Sequence, residues 1–157
     1  MFKDDLLKGK KILVTGGGTG LGKEMSEHYI QHGAEVVICG RRESVLADTA
    51  AEFKDKYDAS VRFQPLDIRS PQDVEDFVET IFQEGPLHGL VNNAAGNFIS
   101  PTKDLSARGF DAIANIVFHG TFYVTNAVGK KWLEQNIKGS IISVSYTHLT
   151  LPTTRCV

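Results

Sequence analysis

Short apolar runs rich in valine and isoleucine alternate along this chain with longer stretches in which apolar residues recur at helical spacing. The apolar runs have the length of strands and are bounded by glycine, proline or charged residues. They predict five strands, at residues 11–15, 35–39, 61–67, 87–94 and 140–143. Because successive positions in these runs are apolar, the strands are typical of parallel strands buried on both faces.

The intervening stretches predict helices over residues 20–32, 43–57, 71–84 and 110–136. Ser70 followed by Pro71 marks the start of the third helix, since serine is a favoured N-cap and proline is tolerated in the first turn. Strands that alternate with helices of this length imply right-handed βαβ units around a parallel sheet. The predicted fold class is α/β, a three-layer Rossmann-type doubly wound parallel sheet truncated after the fifth strand.

Length and composition restrict the class of protein. The 157 residues correspond to one domain, with ordinary fractions of hydrophobic (41%) and charged (23%) residues. A net charge of −2 gives no reason to expect a nucleic acid partner. No apolar run approaches the roughly 18 residues of a membrane span, so no membrane partner is expected. The N-terminus lacks the apolar stretch of a secretory signal, which favours a cytoplasmic location.

Cysteine and histidine positions argue against a metal or disulfide framework. The two cysteines, Cys39 and Cys156, cannot form such a framework. The five histidines lack metal-ligand spacing with acidic or cysteine partners, and no metal is expected.

The C-terminal run VSYTHLTLPT, residues 144–153, resembles the translation of a transposase library adapter used in DNA sequencing. The same reading frame accounts for the following threonine and for Val157 before a stop codon. We therefore expect the native sequence to end near residue 143 and residues 144–157 to be a non-native tail. On this interpretation Ser145 and Tyr146 do not belong to the native sequence.

Glycines dominate the turn between the first strand and the first helix, where residues 15–22 read TGGGTGLG. Glycine lets a backbone turn sharply and approach a pyrophosphate, and a helix N-terminus offers free N–H groups to phosphate charge. The turn alone could be only a tight connection. Its position between a strand and a helix favours nucleotide binding.

Two arginines, Arg41 and Arg42, directly follow the second strand. A carboxylate at this point would suit the ribose 2′-hydroxyl of NAD, whereas an arginine fork matches the 2′-phosphate of NADP. The pair therefore predicts NADP(H) in preference to NAD(H), with Arg41 as the better candidate. The alternative is two solvated arginines at the end of a strand.

The spacing T-G-x-x-x-G-x-G, together with Asn-Asn-Ala-Ala-Gly at residues 92–96, resembles the short-chain dehydrogenase/reductase family. The resemblance covers about residues 10–143 and implies that residues 1–143 form an incomplete NAD(P)-binding Rossmann domain. Ser145 and Tyr146, in the tail, are then not catalytic, and we expect no reductase activity from the 157-residue chain. The resemblance also implies that Asp67 and the backbone of Ile68 contact adenine, although Asp67 could instead cap a helix. With the arginines, the cofactor-binding residues are then Thr15, Gly16, Thr19, Gly20, Leu21, Gly22, Arg41, Arg42, Asp67, Ile68, Asn93, Ala94, Ala95 and Gly96.

A narrower resemblance covers residues 93–106, which are similar to the corresponding segment of 2,4-dienoyl-CoA reductases. It implies that Asn97 donates a hydrogen bond to the substrate thioester carbonyl, where negative charge develops during hydride addition. It also implies substrate contacts at Arg69, Phe98 and Ser106, an acyl-CoA substrate, and a homo-oligomer, specifically a tetramer. The alternative is that residues 97–102 form only a turn leading into a helix.

One departure from the wider family bears on the reaction. Most members carry a catalytic-tetrad asparagine three residues before a glycine of the long helix, and that position holds Val117 here, before Gly120. The loss weakens an alcohol-dehydrogenase interpretation and fits an enoyl-type reduction. A 3-oxoacyl thioester reductase, an alcohol or sugar dehydrogenase, and a non-catalytic NADP-binding module remain as alternatives.

Overall fold

The computed structural model describes residue 3, residues 5–96 and residues 100–144. Five strands pair in parallel in the order β3-β2-β1-β4-β5. Their bounds are β1 Lys11–Thr15, β2 Glu35–Gly40, β3 Arg62–Pro65, β4 Gly89–Asn92 and β5 Ser140–Ser143. The strands progress outward from β1 in both directions, which confirms the predicted doubly wound parallel sheet.

Helices cover both faces of the sheet. Their bounds are α1 Gly20–Gln31, α2 Glu43–Tyr57, α3 Pro71–Gln83, α4 Ala107–Ala114 and α5 Thr121–Glu134. A 3₁₀ turn spans Thr102–Asp104, and a π-helical turn, Asn115–Gly120, joins α4 to α5. Helices α1 and α2 pack on one face, and α3 and α5 pack on the other, so the fold has three layers.

Alternate residues of the central strands supply the two halves of the core. Ile12 and Val14 of β1 pack with the apolar residues of α1 and α2. Leu13, between them, belongs to the cluster formed with α3 and α5, which includes Phe77 and Trp132. This period of two is the strand geometry expected for a sheet covered on both faces. Each fully buried aliphatic or aromatic side chain contributes about 1.5–3 kcal/mol relative to exposure.

The predicted fourth strand is longer than the observed one, and side chains explain both of its ends. Before β4, the His88 ring nitrogen Nδ1 accepts the Lys11 N–H at 3.1 Å, where a strand carbonyl would otherwise act. After β4, the Thr15 hydroxyl accepts the N–H groups of Asn93 and Ala94, both at 3.0 Å. The predicted third strand is also too long, by the margin usual at element ends.

The prediction of one continuous helix over residues 110–136 is wrong. The helical run begins at Ala107, because Ser106 Oγ accepts the Gly109 N–H at 3.1 Å and caps the first turn. The π-helical turn Asn115–Gly120 then interrupts the α-helical geometry before α5 begins. A π turn replaces the usual hydrogen-bond spacing by a longer one, and hydrophobic periodicity does not reveal such a single turn.

Strand β5 forms an exposed edge of the sheet in the part of the chain that the structure describes. Its side chains are exposed, including Ile141 (43%) and Ile142 (51%). Within the described ranges, none of the helices combines the length and apolarity required to cross a membrane.

A buried lysine and a histidine meet where β1 and β4 begin. The Lys11 ammonium donates to the Glu84 carbonyl at 3.2 Å and lies 3.1 Å from the Glu35 carboxylate. The backbone N–H of Lys11 donates a hydrogen bond to the ring of neutral His88. Burial is the largest cause that lowers the pKa of His88, and the positive charges of Lys10 and Lys11 lower it further. The negative charge of Glu35 acts in the opposite direction and raises it.

This geometry predicts a pH-dependent stability. Because the folded-state pKa of His88 lies below its unfolded value of about 6.5, its stabilising effect is complete above that pH and is lost as the pH falls through the folded pKa. His88→Asn keeps an acceptor but does not titrate. Urea unfolding should therefore show a smaller loss of stability on acidification for His88→Asn than for the unmutated chain. His28→Asn, on the exposed side of α1, should keep the original pH dependence, and equal curves for all three proteins would contradict the prediction.

Candidate functional site

A cleft of about 350 Å³ opens at the carboxyl ends of the strands. It lies where β1 has β2 on one side and β4 on the other, the point at which doubly wound sheets bind ligands. The residues that line it come from the glycine turn, from the ends of β2, β3 and β4 and from the start of α2, with one from the π-helical turn. They are Gly16, Gly18, Thr19, Gly20, Leu21, Cys39, Gly40, Arg41, Arg42, Val45, Leu46, Leu66, Asp67, Ile68, Asn93, Ala94, Ala95 and Ile116.

Some glycines of the turn have no room for a side chain. A Cβ on Gly22 would lie 2.3 Å from the Gly16 carbonyl oxygen and 2.5 Å from Asn93 Nδ2. Gly16 and Gly20 adopt φ of 67° and 52°, the left-handed region that favours glycine. Gly22 was predicted as a cofactor residue; it lies beneath the turn and allows the turn to approach α1.

The N-terminus of α1 opens toward this turn without a side-chain cap. Thr19 occupies the N-cap position and makes no capping hydrogen bond, whereas Ser70 and Ser106 cap α3 and α4 through their hydroxyls. The first N–H groups of a helix have no partner within the helix and are favourable for anions. The uncapped end and the close glycine turn therefore fit a pyrophosphate.

Thr15 and Asn93 hold the ends of β1 and β4 together behind the cleft. The Thr15 hydroxyl donates to the Val91 carbonyl at 3.3 Å and accepts the N–H groups of Asn93 and Ala94. In return, Asn93 Nδ2 donates to the Thr15 carbonyl at 3.0 Å and the Gly16 carbonyl at 3.3 Å. Thr15, predicted to bind cofactor, is buried and positions the backbone that lines the cleft.

The end of β2 brings both predicted arginines to the cleft. Arg41 and Arg42 line it beside Gly40, and both are exposed. Cys39 lies beneath them, where burial raises the pKa of its thiol to about 12. The thiol is therefore neutral, while the two guanidinium groups supply positive charge to this end of the cleft.

At the end of β3, the Asp67 carboxylate binds Arg69 and does not cap a helix. The carboxylate accepts the Arg69 backbone N–H at 3.0 Å and several guanidinium hydrogen bonds, two of them from Nε at 2.9 and 3.0 Å. These bonds are the main cause that lowers the pKa of Asp67. Helix α3 is capped by Ser70, whose Oγ accepts the Asp73 N–H at 3.4 Å, so the alternative that Asp67 caps a helix is wrong. Asp67 and Ile68 both line the cleft.

The predicted substrate residues are placed less completely. Asn97 and Phe98 lie outside the residues that the structure describes. Ser106 caps α4, and the Arg69 guanidinium contacts Asp67; neither residue lines the cleft. Their substrate contacts stay predictions, as does the role of Gly96, which lies at the end of the segment after β4.

Sequence reasoning missed one element of the site. Ile116 reaches the cleft from the π-helical turn, and no motif or periodicity in the sequence marks it. Leu66 and Leu46 add apolar lining that follows from their places at the end of β3 and in α2. Across the described ranges, no cluster of three or more histidine, cysteine or acidic residues is arranged to hold a metal ion.

The cleft combines features that suit an extended ligand carrying phosphates. It has an uncapped helix end over a glycine turn, guanidinium groups at one end, and apolar side chains such as Ile68 and Ile116 in its wall. These features match, in order, a pyrophosphate, a further phosphate and the faces of rings.

The family described as short chain dehydrogenase matches residues 10–153 of this chain. A probable 2,4-dienoyl-CoA reductase from Bacillus subtilis is 34% identical over 140 residues, covering 88% of this chain and 55% of the relative. A peroxisomal 2,4-dienoyl-CoA reductase from Arabidopsis thaliana is 37% identical over 155 residues, covering 93% of this chain and 51% of the relative. The chain thus spans about half the length of these curated relatives.

Solved structures show the same architecture. A short chain dehydrogenase from Bacillus anthracis superposes with a TM-score of 0.80 at 40% identity, covering 85% of this chain and 54% of that structure. A short chain dehydrogenase from Shigella flexneri, complexed with NADP, superposes with a TM-score of 0.84 at 26% identity, covering 91% and 61%.

The clamp behind the cleft can be tested by Thr15→Val, which keeps the side-chain shape but removes the hydroxyl. Two N–H groups would lose their acceptor, and each buried unpaired group costs about 1–3 kcal/mol, so we expect a loss of about 2 kcal/mol or more in the free energy of unfolding. Thr80→Val is the matched control, because the exposed Thr80 hydroxyl donates only to Asp76 within α3. Similar urea midpoints for the two variants would contradict the clamp.

Proposed function

The chain belongs to the short-chain dehydrogenase family, a family of nicotinamide-dependent oxidoreductases, and from this membership we propose that it is part of an NADPH-dependent reductase of 2,4-dienoyl-CoA or a similar unsaturated acyl-CoA. The relatives named as 2,4-dienoyl-CoA reductases carry the proposal of substrate class. The resemblance of residues 93–106 to the segment of those enzymes that contacts substrate supports it independently of overall identity.

The proposal of NADPH rests on the end of β2. Arg41 and Arg42 line the cleft at the point where an NAD-binding carboxylate would stand, and the residues there include no acid. A planar guanidinium can give two parallel hydrogen bonds to a phosphate. The structural relative complexed with NADP shows that a protein of this architecture accepts that cofactor.

Different residues have separate tasks in the proposed reaction. The glycine turn and the uncapped N-terminus of α1 would hold the pyrophosphate, Arg41 would hold the 2′-phosphate, and Asp67 with Ile68 would hold adenine. A reduced nicotinamide supplies a hydride when bound. The Asn97 amide donates a hydrogen bond to the thioester oxygen, where negative charge develops. Arg69, Phe98 and Ser106 hold the acyl-CoA.

The assembly, location and extent of the protein are further proposals. A homo-oligomer, specifically a tetramer, and a cytoplasmic location stay predictions, and the Arabidopsis relative is named as peroxisomal. The division into residues 1–143 and a non-native tail also stays a proposal, although the family match continues to residue 153. Val144, the last described residue, still donates its N–H to the Asn92 carbonyl at 2.9 Å.

Substrate profiling of a full-length protein that contains this sequence separates the proposal from its alternatives, because the 157-residue chain itself is expected to lack reductase activity. A dienoyl-CoA reductase should oxidise NADPH with conjugated dienoyl-CoA and not with 3-oxoacyl thioesters, sugars or simple alcohols. A non-catalytic module should bind NADPH without turnover on any of them. Val117, in place of the tetrad asparagine, favours the first outcome over an alcohol dehydrogenase.

Cofactor preference is tested by Arg41→Asp. Removal of a charge-assisted phosphate contact, worth about 1.5–3 kcal/mol, should weaken NADPH binding about ten- to a hundred-fold and leave NADH binding little changed. Fluorescence titration gives both dissociation constants. Arg108→Asp, an equal charge change on the exposed surface of α4, should leave the preference intact. Equal affinity of the unmutated protein for NADPH and NADH would refute the preference.

The role of Asn97 is tested by Asn97→Ala in an active reductase that contains this sequence. Loss of one donor to a developing oxyanion should lower kcat about a hundred-fold or more with a dienoyl-CoA. The dissociation constant of NADPH should hardly change. Asn126→Ala, on the exposed side of α5, is the control. Near-normal turnover of Asn97→Ala would show that the asparagine does not act on the thioester.

A further inference from the structure

The long helical run touches the nucleotide cleft at its irregular turn. The π-helical turn Asn115–Gly120 lies between two regular helices, α4 and α5. Its second residue, Ile116, is a cleft-lining residue, while the next two, Val117 and Phe118, are 42% and 71% exposed. The π-helical turn therefore directs the Ile116 side chain into the cleft and the next two side chains toward solvent. Such turns concentrate at functional sites.

Glycines make room for both ends of this turn. A Cβ on Gly96, just after β4, would lie 2.5 Å from Ile116 Cδ1. A Cβ on Gly120, at the other end of the turn, would lie 2.7 Å from Ile68 Cδ1 and 3.2 Å from the Ile68 carbonyl oxygen. Contacts below 3.0 Å require a shift, and the atoms that an added methyl group would meet so closely belong to the Ile116 and Ile68 side chains. Either methyl group would therefore displace the end of one of these side chains from its present position.

These two contacts fix the turn to two different strand ends. Gly96 continues from β4, and Ile68 follows β3, so the turn spans the mouth of the cleft between them. Ile116 packs against the larger core cluster, and Ile68 is a buried member of it. Because well-packed cores resist both added and removed volume, the distance between this turn and the cleft floor is set by side-chain size.

We infer that Ile116 is a positioning residue that sets the width of the cleft beside residues 93–96, and that the missing side chain of Gly96 is what admits it. The inference rests on the proposed dinucleotide as ligand and adds the element that closes the cleft on the helix side. A smaller side chain at position 116 leaves the bound rings without an apolar wall. A larger one at position 96 pushes the wall outward.

Size complementation tests this contact directly. Gly96→Ala should weaken NADPH binding several-fold, because the added methyl group takes the place of Ile116 Cδ1 and displaces the end of that side chain from the wall. Ile116→Ala alone should weaken it several-fold, because the wall is lost. In the double variant Gly96→Ala/Ile116→Ala, the new methyl group occupies space that the isoleucine has vacated. The NADPH affinity of the double variant should therefore be closer to that of the unmutated chain than the affinity of Gly96→Ala is. Phe118→Ala, a deletion at the exposed position two residues further on, should bind as the unmutated chain does.

Two readouts on the 157-residue chain separate positioning from general destabilisation. NADPH dissociation constants are measured by fluorescence well below the unfolding midpoint, and the midpoint without ligand is measured in parallel. Affinity changes that persist where every variant is fully folded support the inference. Unchanged affinity in Gly96→Ala, or no recovery in the double variant, would overturn it. If the unmutated chain fails to bind NADPH, the inference falls together with the proposed cofactor; if it binds and the variants match it, only the inference falls.

Discussion

The hydroxyl of Thr15 is the interaction on which the site depends most. A parallel sheet brings strand ends to one edge but does not decide where each chain leaves it. By accepting two successive N–H groups after β4, at 3.0 Å each, this hydroxyl turns residues 93 and 94 across the end of β1. The Asn93 amide then binds the Thr15 and Gly16 carbonyls and fixes the first bend of the glycine turn. One pair of side chains, Thr15 and Asn93, thereby holds both the glycine turn and the segment that follows β4.

Much of this arrangement could be predicted from the sequence, because it follows from local patterns. β1, α2 and β5 have the predicted bounds, since each is delimited by glycine, charge or capping residues. The glycine turn and Arg41 were predicted to meet in one cleft, and they do, because parallel strands bring their carboxyl ends to the same edge.

The parts that could not be predicted depend on side chains that are distant in sequence. Just before β4 begins, His88 Nδ1 accepts the Lys11 N–H. The two residues are 77 positions apart, so no local propensity contains that information. Gly120, the last residue of the π-helical turn, packs on Ile68, which follows β3, and the local sequence does not record that contact. Helical periodicity predicted the helical run but not the π-helical turn, so it did not predict that Ile116 reaches the cleft.

The balance of charge in the cleft explains how the Asp67 carboxylate can lie beside the sites proposed for phosphate. Of the residues found to line the cleft, Asp67 is the one carboxylate, and an unbalanced negative charge there would oppose a dinucleotide. Arg69 binds that carboxylate through backbone and guanidinium, and the positive charge of Arg41 also acts on it. The acid stays ionised and oriented, and Arg41 and Arg42 leave the cleft positive. This arrangement constrains Arg69: contact with an acyl-CoA phosphate would require its guanidinium to be shared with, or withdrawn from, Asp67. Binding at the adenine end and binding of the acyl-CoA would then be coupled through one exposed side chain.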